Sequence, residues 1–200
     1  MKRAEKLVEA AAESIGLTEG TTAAKLELKA WLEQYALFTR QLEDIMDQVE
    51  VLLEQIPGTQ EMLTVPGVGI TTLAGFLAET GDLSRYSHGQ QIIRLAGLNL
   101  RENSSGKKKG RTTISKRGRS RLRGLLFRAV LPMVAKNPEF KAMHEYYTQR
   151  QVNPLKKKQS IVALCGKLIR VLHTLGTRKI AYDAADVLGP VRRAQLQLAA

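Results

Sequence analysis

Apolar residues between positions 24 and 56 recur at alternating steps of three and four, with charged or polar residues in most of the places between them. This stripe of two positions in seven is narrower than the apolar face of a helix that packs onto its own core. It predicts a long helix over about 24–56 that pairs with a helix of a second chain or of a bundle. Packing onto the core of its own domain is the alternative. The seam consists of Leu28, Trp31, Tyr35, Phe38, Leu42, Ile45, Val49, Leu52 and Ile56.

Shorter helices are predicted on both sides of this heptad helix, while strand signals are poor throughout. We therefore expect a mainly α fold, in which a long coiled-coil helix is followed by a compact helical domain. The proposed boundaries are 1–57 for a helical dimerisation region and 58–200 for the compact domain. The shorter elements are predicted at 1–16, 89–96, around Leu122–Met133 with a kink or early end at Pro132, at 138–151 and at 155–176, with at most a short strand near 111–114 and a fraying tail at 183–200.

Residues 61–80 have the pattern of two short helices joined by a tight turn, Pro66 to Gly69. This order resembles a helix-hairpin-helix motif, which binds DNA. Gly67, Val68 and Gly69 are the candidate contacts, because glycine lets a backbone turn tightly and approach a phosphate. The free N–H groups at the start of the second helix also favour an anion. A plain turn between two helices is the alternative interpretation.

Charge divides the chain into unlike halves. The net charge is +12, but residues 1–100 hold 8 basic and 14 acidic side chains, whereas residues 101–200 hold 23 and 5. Such asymmetry favours a polyanionic partner, first of all nucleic acid. A membrane partner is not expected, because no amphipathic anchor and no run of 18 apolar residues is found. One cysteine, three scattered histidines and the lack of a signal peptide indicate a reduced, cytoplasmic protein without a zinc site.

The basic side chains concentrate between positions 101 and 128, where eleven of them accompany a single acid. Arginine binds phosphate oxygens in a bidentate manner, so this density indicates backbone contacts to nucleic acid. A merely solvated basic face is the alternative. The candidate DNA-binding side chains are Arg101, Lys107, Lys108, Lys109, Arg111, Lys116, Arg117, Arg119, Arg121 and Arg123.

Ser104 and Ser105 stand beside Gly106 within this basic stretch, in a predicted loop at 101–118. A serine that attacks a phosphodiester needs a flexible loop and cations that stabilise the transition state. The same residues would also suit a loop that only touches phosphate, and composition leaves both possibilities open. Two-metal chemistry is not expected, since it needs several converging carboxylates and the basic half shows no pairing among its five. No metal-binding residues are therefore predicted.

Four ordered motifs resemble the C-terminal domain of the IS116/IS110/IS902 family of insertion-sequence transposases. They are P-G-[IV]-G at Pro66–Gly69, G-D-[IL]-x-[RK]-[FY] at Gly81–Tyr86, A-G-L with a following S-G at Ala96–Gly106, and [IV]-[ST]-K-x-G-x-x-x-L-R at Ile114–Arg123. The resemblance covers about residues 58–175. The heptad helix is similar to the coiled coil that precedes this domain in the family.

The resemblance implies a DNA recombinase whose nucleophile is the serine just before the glycine, which is Ser105 in this chain. Lys116 and Gly118 match the K-x-G pattern, and the nearby basic side chains are expected to hold backbone phosphates. The resemblance further implies excision and insertion without target duplication, and a structured guide RNA as a partner besides DNA.

Two departures from the family pattern qualify these expectations. Leu100 stands where the family often has proline. The family also has an N-terminal RNase H-like domain whose acidic residues bind magnesium, and only some 25 residues precede the heptad helix here. We therefore expect magnesium to belong to a domain missing from this chain, and the chain alone to be inactive. The alternative function is a non-catalytic dimeric module that binds DNA or RNA, although aromatic residues for base stacking are scarce.

The heptad seam predicts a homo-oligomer. Static light scattering at micromolar concentration should give a mass of at least two chains, because only pairing would remove the seam from water. A monomeric mass at that concentration would contradict the coiled-coil interpretation.

Overall fold

The computed structural model describes residues 2–14, 16, 19–102 and 112–197, and regular structure in these ranges is mainly helical, as predicted. Internal contacts divide the chain into two units, Met1–Asp47 and Gln48–Ala200. The helices are α1 (Lys2–Glu13), α2 (Thr21–Glu54), α3 (Thr59–Leu63), α4 (Ile70–Thr80), α5 (Gly89–Leu95), α6 (Ser120–Lys136), α7 (Pro138–Gln149), α8 (Lys157–Arg178) and α9 (Ala184–Gln197), with a 3-10 turn at Leu83–Arg85 and two strands, β1 (Leu100–Arg101) and β2 (Thr113–Ile114).

The heptad pattern corresponds to α2, a single helix of 34 residues that begins and ends within a few residues of the expected bounds. Most of its seam is open to solvent: Trp31 is 60% exposed, Tyr35 72% and Phe38 63%, whereas Val49 is partly buried against the core of the second unit. The long helix is therefore confirmed. The first unit does not bury the seam, and the partner that would cover it stays a prediction.

The second unit is built around α8. This helix contacts α3, α5, α6 and α7, and its apolar residues form the centre of one continuous core. Length and composition alone would suit a membrane-spanning helix, but 61% of its most apolar stretch is buried within the fold. That burial is expected of a central core helix, which is apolar on most sides.

Asn137 fixes the turn between α3 and α4 onto the junction of α6 and α7. Its side chain is fully buried. The amide oxygen accepts a hydrogen bond of 3.1 Å from the Phe140 N–H and caps α7, while the amide nitrogen donates to the Pro66 carbonyl at 3.1 Å. One residue therefore starts a helix and holds the Pro66–Gly69 turn.

The Gly81–Tyr86 motif has a structural task at the end of α4. The Asp82 carboxylate accepts hydrogen bonds from the N–H and the hydroxyl of Ser84 at the start of the 3-10 turn. These hydrogen bonds lower the pKa of Asp82. The Tyr86 hydroxyl donates to the Thr80 carbonyl at 2.8 Å, and His173 of α8 bonds the Tyr86 carbonyl at 2.8 Å. The motif thus anchors the α4 end on the core helix.

Two sequence expectations need correction. The tail at 183–200 is predicted to fray, yet α9 covers Ala184–Gln197, with a break at Gly189; α9 packs on α7 and Val187 is buried, while residues 198–200 lie outside the described residues. Pro132 is predicted to kink or shorten its helix; the early end is wrong, because α6 continues past the proline to Lys136, while the kink stays a prediction. The buried residues Val130 and Met133 on either side of the proline offset the lost backbone hydrogen bond.

Candidate nucleic-acid interface

The A-G-L and K-x-G motifs meet in a short structure that we call the loop base, residues 97–101 and 113–118. Its strands pair antiparallel, with Arg101 opposite Thr113. The pairing continues as the Ser115 N–H donates to the Asn99 carbonyl at 2.8 Å and the Ser115 hydroxyl to the Asn99 side chain at 2.6 Å. The chain therefore leaves and re-enters the loop base at neighbouring points.

Two glycines allow the loop base to close. A Cβ at Gly118 would lie 2.3 Å from the Leu95 carbonyl oxygen, and its φ of 146° is a conformation that side chains disfavour. A Cβ at Gly97, with φ of 66°, would lie 2.8 Å from the Arg117 carbonyl oxygen. The backbone of the A-G-L motif is thus in close contact with the backbone of the K-x-G motif.

Two of the predicted DNA-binding arginines contact the protein itself. Arg119 donates a hydrogen bond to the Glu79 carbonyl, and its guanidinium also lies 3.8 Å from the Glu79 carboxylate. Arg123 is half-buried and donates to the Ala96 carbonyl at 2.9 Å. These contacts hold the first turns of α6 against the ends of α4 and α5, so both side chains serve the fold.

The side chains of four other predicted basic residues are exposed and make no hydrogen bond or ion pair within the described ranges. They are Arg101, Lys116, Arg117 and Arg121, from the loop base and the start of α6. Lys116 lies in left-handed backbone, with φ of 55°. An unpaired, solvated cation is free to neutralise an external anion, so these four side chains remain candidates for phosphate contacts.

The Pro66–Gly69 turn joins α3 to α4 as the sequence predicted, but its three candidates differ in access. The Val68 side chain is buried, and a Cβ at Gly67 would lie 2.9 Å from the Met133 Cγ. A Cβ at Gly69 would meet no atom within 4 Å, and Gly69 starts α4 with no side-chain cap. The open side of the turn is therefore at Gly69, beside the uncapped N–H groups of α4.

Five predicted residues lie outside the described residues: the proposed nucleophile and four cations of the same loop. These residues are Ser105, Lys107, Lys108, Lys109 and Arg111.

Three other reactive side chains of the described part serve packing. Burial raises the pKa of Cys165 to about 12, so its thiolate is disfavoured. Burial, with a smaller effect of Glu139, also raises the pKa of Tyr182 to about 12. Ser160 is fully buried and bonds His144 Nδ1 at 2.9 Å. None of these groups offers solvent an activated nucleophile.

Acidic, histidine and cysteine side chains are scattered over the described part of the chain. Within those ranges, no group of three or more His, Cys, Asp or Glu side chains is close enough to hold an ion. The expectation that magnesium belongs to a domain outside this chain stays a prediction.

Sequence reasoning left two kinds of residue unassigned. Asn99 and Ser115 close the loop base, yet a lone pair sixteen positions apart carries no signal of contact. Arg128 was part of the basic stretch but received no role. Its spacing of seven from Arg121 on one helix would have placed both side chains on the same face.

Comparison with known proteins agrees with the motif order. Residues 59–145 match the model of the Transposase IS116/IS110/IS902 family. The matched segment begins with α3, contains the turn and the loop base, and ends within α7.

Individual relatives extend the comparison to whole proteins. The transposase for insertion sequence element IS1111A of Coxiella burnetii is 28% identical over 142 residues, 70% of this chain and 38% of that protein. The transposase for insertion sequence element IS1328 of Yersinia enterocolitica is 32% identical over 94 residues, 47% and 28% of the two chains. The pilin gene-inverting protein of Moraxella bovis is 28% identical over 124 residues, 61% and 38%. The chain spans well under half the length of these relatives.

The loop base predicts an unequal effect of alanine at two glycines. Gly118→Ala should lower the free energy of unfolding by about 2–4 kcal/mol, because its Cβ collides with backbone in a disfavoured conformation. Gly124→Ala, inside α6, is the matched control, because its Cβ would meet only Arg128 at 3.6 Å. This control should be neutral or stabilising by up to ~1 kcal/mol. Urea unfolding followed by circular dichroism compares the two, and equal stabilities would contradict the close contact.

Proposed function

Through residues 59–145 the chain belongs to the IS116/IS110/IS902 family of transposases, and we propose that it binds DNA and supplies a serine nucleophile for strand exchange. The nucleophile in this proposal is Ser105. DNA is bound by its backbone, through the turn at Gly69 and the unpaired basic side chains around the loop base. Two relatives are named as transposases and one as a gene-inverting protein, which supports a role in DNA rearrangement.

The geometry of the loop base is the observation that carries this proposal. The segment containing Ser105 is joined at both ends to the loop base, where the side chains of Arg101, Lys116 and Arg117 have no partner among the described residues. Cations held beside a reacting phosphodiester stabilise the charge that develops in its transition state. The arrangement therefore supports catalysis by this segment more than composition alone does.

The proposed reaction is a pair of phosphoryl transfers. The Ser105 oxygen forms a bond to phosphorus while the bond from phosphorus to a sugar oxygen breaks, and the serine proton passes by way of solvent to that departing oxygen. Attack by the hydroxyl of another strand end then reverses the first step and restores the serine. The number of phosphodiester bonds is conserved, so the exchange needs no energy source.

We extend the proposal to partners. The exposed seam of α2 supports a homo-oligomer, and the basic surface suits a structured guide RNA as well as DNA. Action on the DNA of a bacterial cell would place the protein in the cytoplasm.

A non-catalytic binding module is the second candidate function. The open turn at Gly69 and the unpaired arginines are enough for sequence-independent backbone contact, without any part for Ser105. The two candidates share the DNA-binding surface and differ in whether a covalent intermediate forms.

The turn contact is tested by Gly69→Ala. The added methyl meets no protein atom but would occupy the space of an approaching phosphate. DNA affinity should fall roughly five- to tenfold, about 1–1.4 kcal/mol, while the unfolding temperature stays unchanged. Gly16→Ala, also in open space, is the matched control and should leave affinity unchanged. Fluorescence anisotropy with a DNA duplex measures both, and equal affinities would remove the turn from the interface.

The nucleophile is tested by Ser105→Ala in a complete recombinase that contains this chain. Covalent protein–DNA complexes, detected on denaturing gels, should be lost, because no other hydroxyl takes the place of Ser105. Ser104→Ala is the matched control and should retain them. If Ser105→Ala still forms the complexes, the assignment is wrong. If neither the parent nor the variants form covalent complexes but all of them still bind DNA, the non-catalytic module is the better description.

A further inference from the structure

A groove of about 430 Å³ runs between α4 and α6. We call it the α4–α6 groove. Gly75 and Glu79 line it from α4, and Ser120, Arg121, Gly124 and Arg128 line it from α6. It is a surface feature of the second unit.

Two arginines dominate the groove wall. Arg121 and Arg128 are seven residues apart on α6, which is close to two turns, so they share a face at a rise of about 10.5 Å. Both side chains are exposed, and neither has a hydrogen bond or ion pair in the part of the chain that the structure describes. They contrast with Arg119 and Arg123, which lie on the same helix and bond the protein.

Glycine keeps the groove open. A Cβ at Gly75 would lie 3.0 Å from Leu125 Cδ1, so α4 and α6 approach closely along the groove floor. A Cβ at Gly124 would lie 3.6 Å from Arg128 Nη1, so the guanidinium lies near bare helix backbone. Because both positions are glycine, no side chain there blocks a ligand from reaching the two arginines.

The charge of the groove favours an anion. Glu79 is the acidic residue of the lining, and Arg119 at the rim already offsets its charge at 3.8 Å. The first turn of α6 has no side-chain cap, and its N–H groups add partial positive charge at the Ser120 end. None of the described residues that line the groove is aromatic, so the groove suits phosphate rather than stacked bases.

We propose that the α4–α6 groove is a second backbone-binding site for duplex DNA, in which Arg121 and Arg128 each contact a phosphate. The inference rests on the proposed DNA binding and adds a site and a residue, Arg128, to it. Helix α4 joins this groove to the turn: Gly69 and Gly75 are six residues apart, about 9 Å along the helix.

The test is the salt dependence of duplex affinity, measured on the full chain with a short fluorescent duplex of mixed sequence. Each lost phosphate contact lowers the slope of log affinity against log salt by about 0.9. Arg121→Gln and Arg128→Gln should each lower this slope by about 0.9, and the double variant should lower it by about 1.8. Arg178→Gln, an exposed arginine at the end of α8, is the matched control and should leave the slope unchanged.

Other outcomes separate the possible failures. A parent chain with no salt-dependent duplex binding would overturn the proposed function and this inference together. A parent that binds duplex, with an unchanged slope in the double variant, would overturn the groove alone. If the double variant binds a structured RNA more weakly than the parent does, but binds duplex DNA with unchanged affinity, the groove proposal would also be overturned. Unfolding curves identical to the parent are expected for both glutamine variants, because neither arginine bonds the protein.

Discussion

The backbones of Gly97 and Gly118 approach each other too closely for any side chain to fit between them, and the candidate site is arranged around this contact. It joins the end of α5 to the start of α6 and fixes the direction in which α6 leaves the loop base. That direction sends Arg119 and Arg123 onto protein carbonyls and leaves neighbouring arginines in solvent. A backbone contact thus decides which cations stabilise the fold and which face a ligand.

The sequence predicted much of the fold, because helix periodicity and glycine turns are local signals. The heptad helix, the two helices around Pro66–Gly69 and the core helix α8 all lie near their expected bounds. Local signals fail where stability comes from distant partners. Helix α9 packs on α7, and α6 continues past its proline with the buried residues Val130 and Met133 on either side of it.

The sequence indicated the basic composition of the candidate site, but not which arginines bond the protein and which stay exposed. A run of arginines shows attraction to a polyanion, but each side chain's role depends on the neighbour it meets. Arg119 meets Glu79, which is 40 positions away, and Arg123 meets Ala96, which is 27 away. Such pairs arise from the crossing of α4, α5 and α6 and leave no periodic trace in the sequence. Surface charge density therefore overstates the number of cations available for binding.

At Asn137, side-chain shape alone does not decide which residue type can be buried there. Its amide accepts from the α7 backbone on one side and donates to the Pro66 carbonyl on the other. An aspartate has nearly the same outline, but when ionised it offers only acceptors, and one oxygen would then face a carbonyl oxygen without water between them. The orientation of a single amide dipole thus distinguishes the two isosteres, and it couples the start of α7 to the turn that precedes α4.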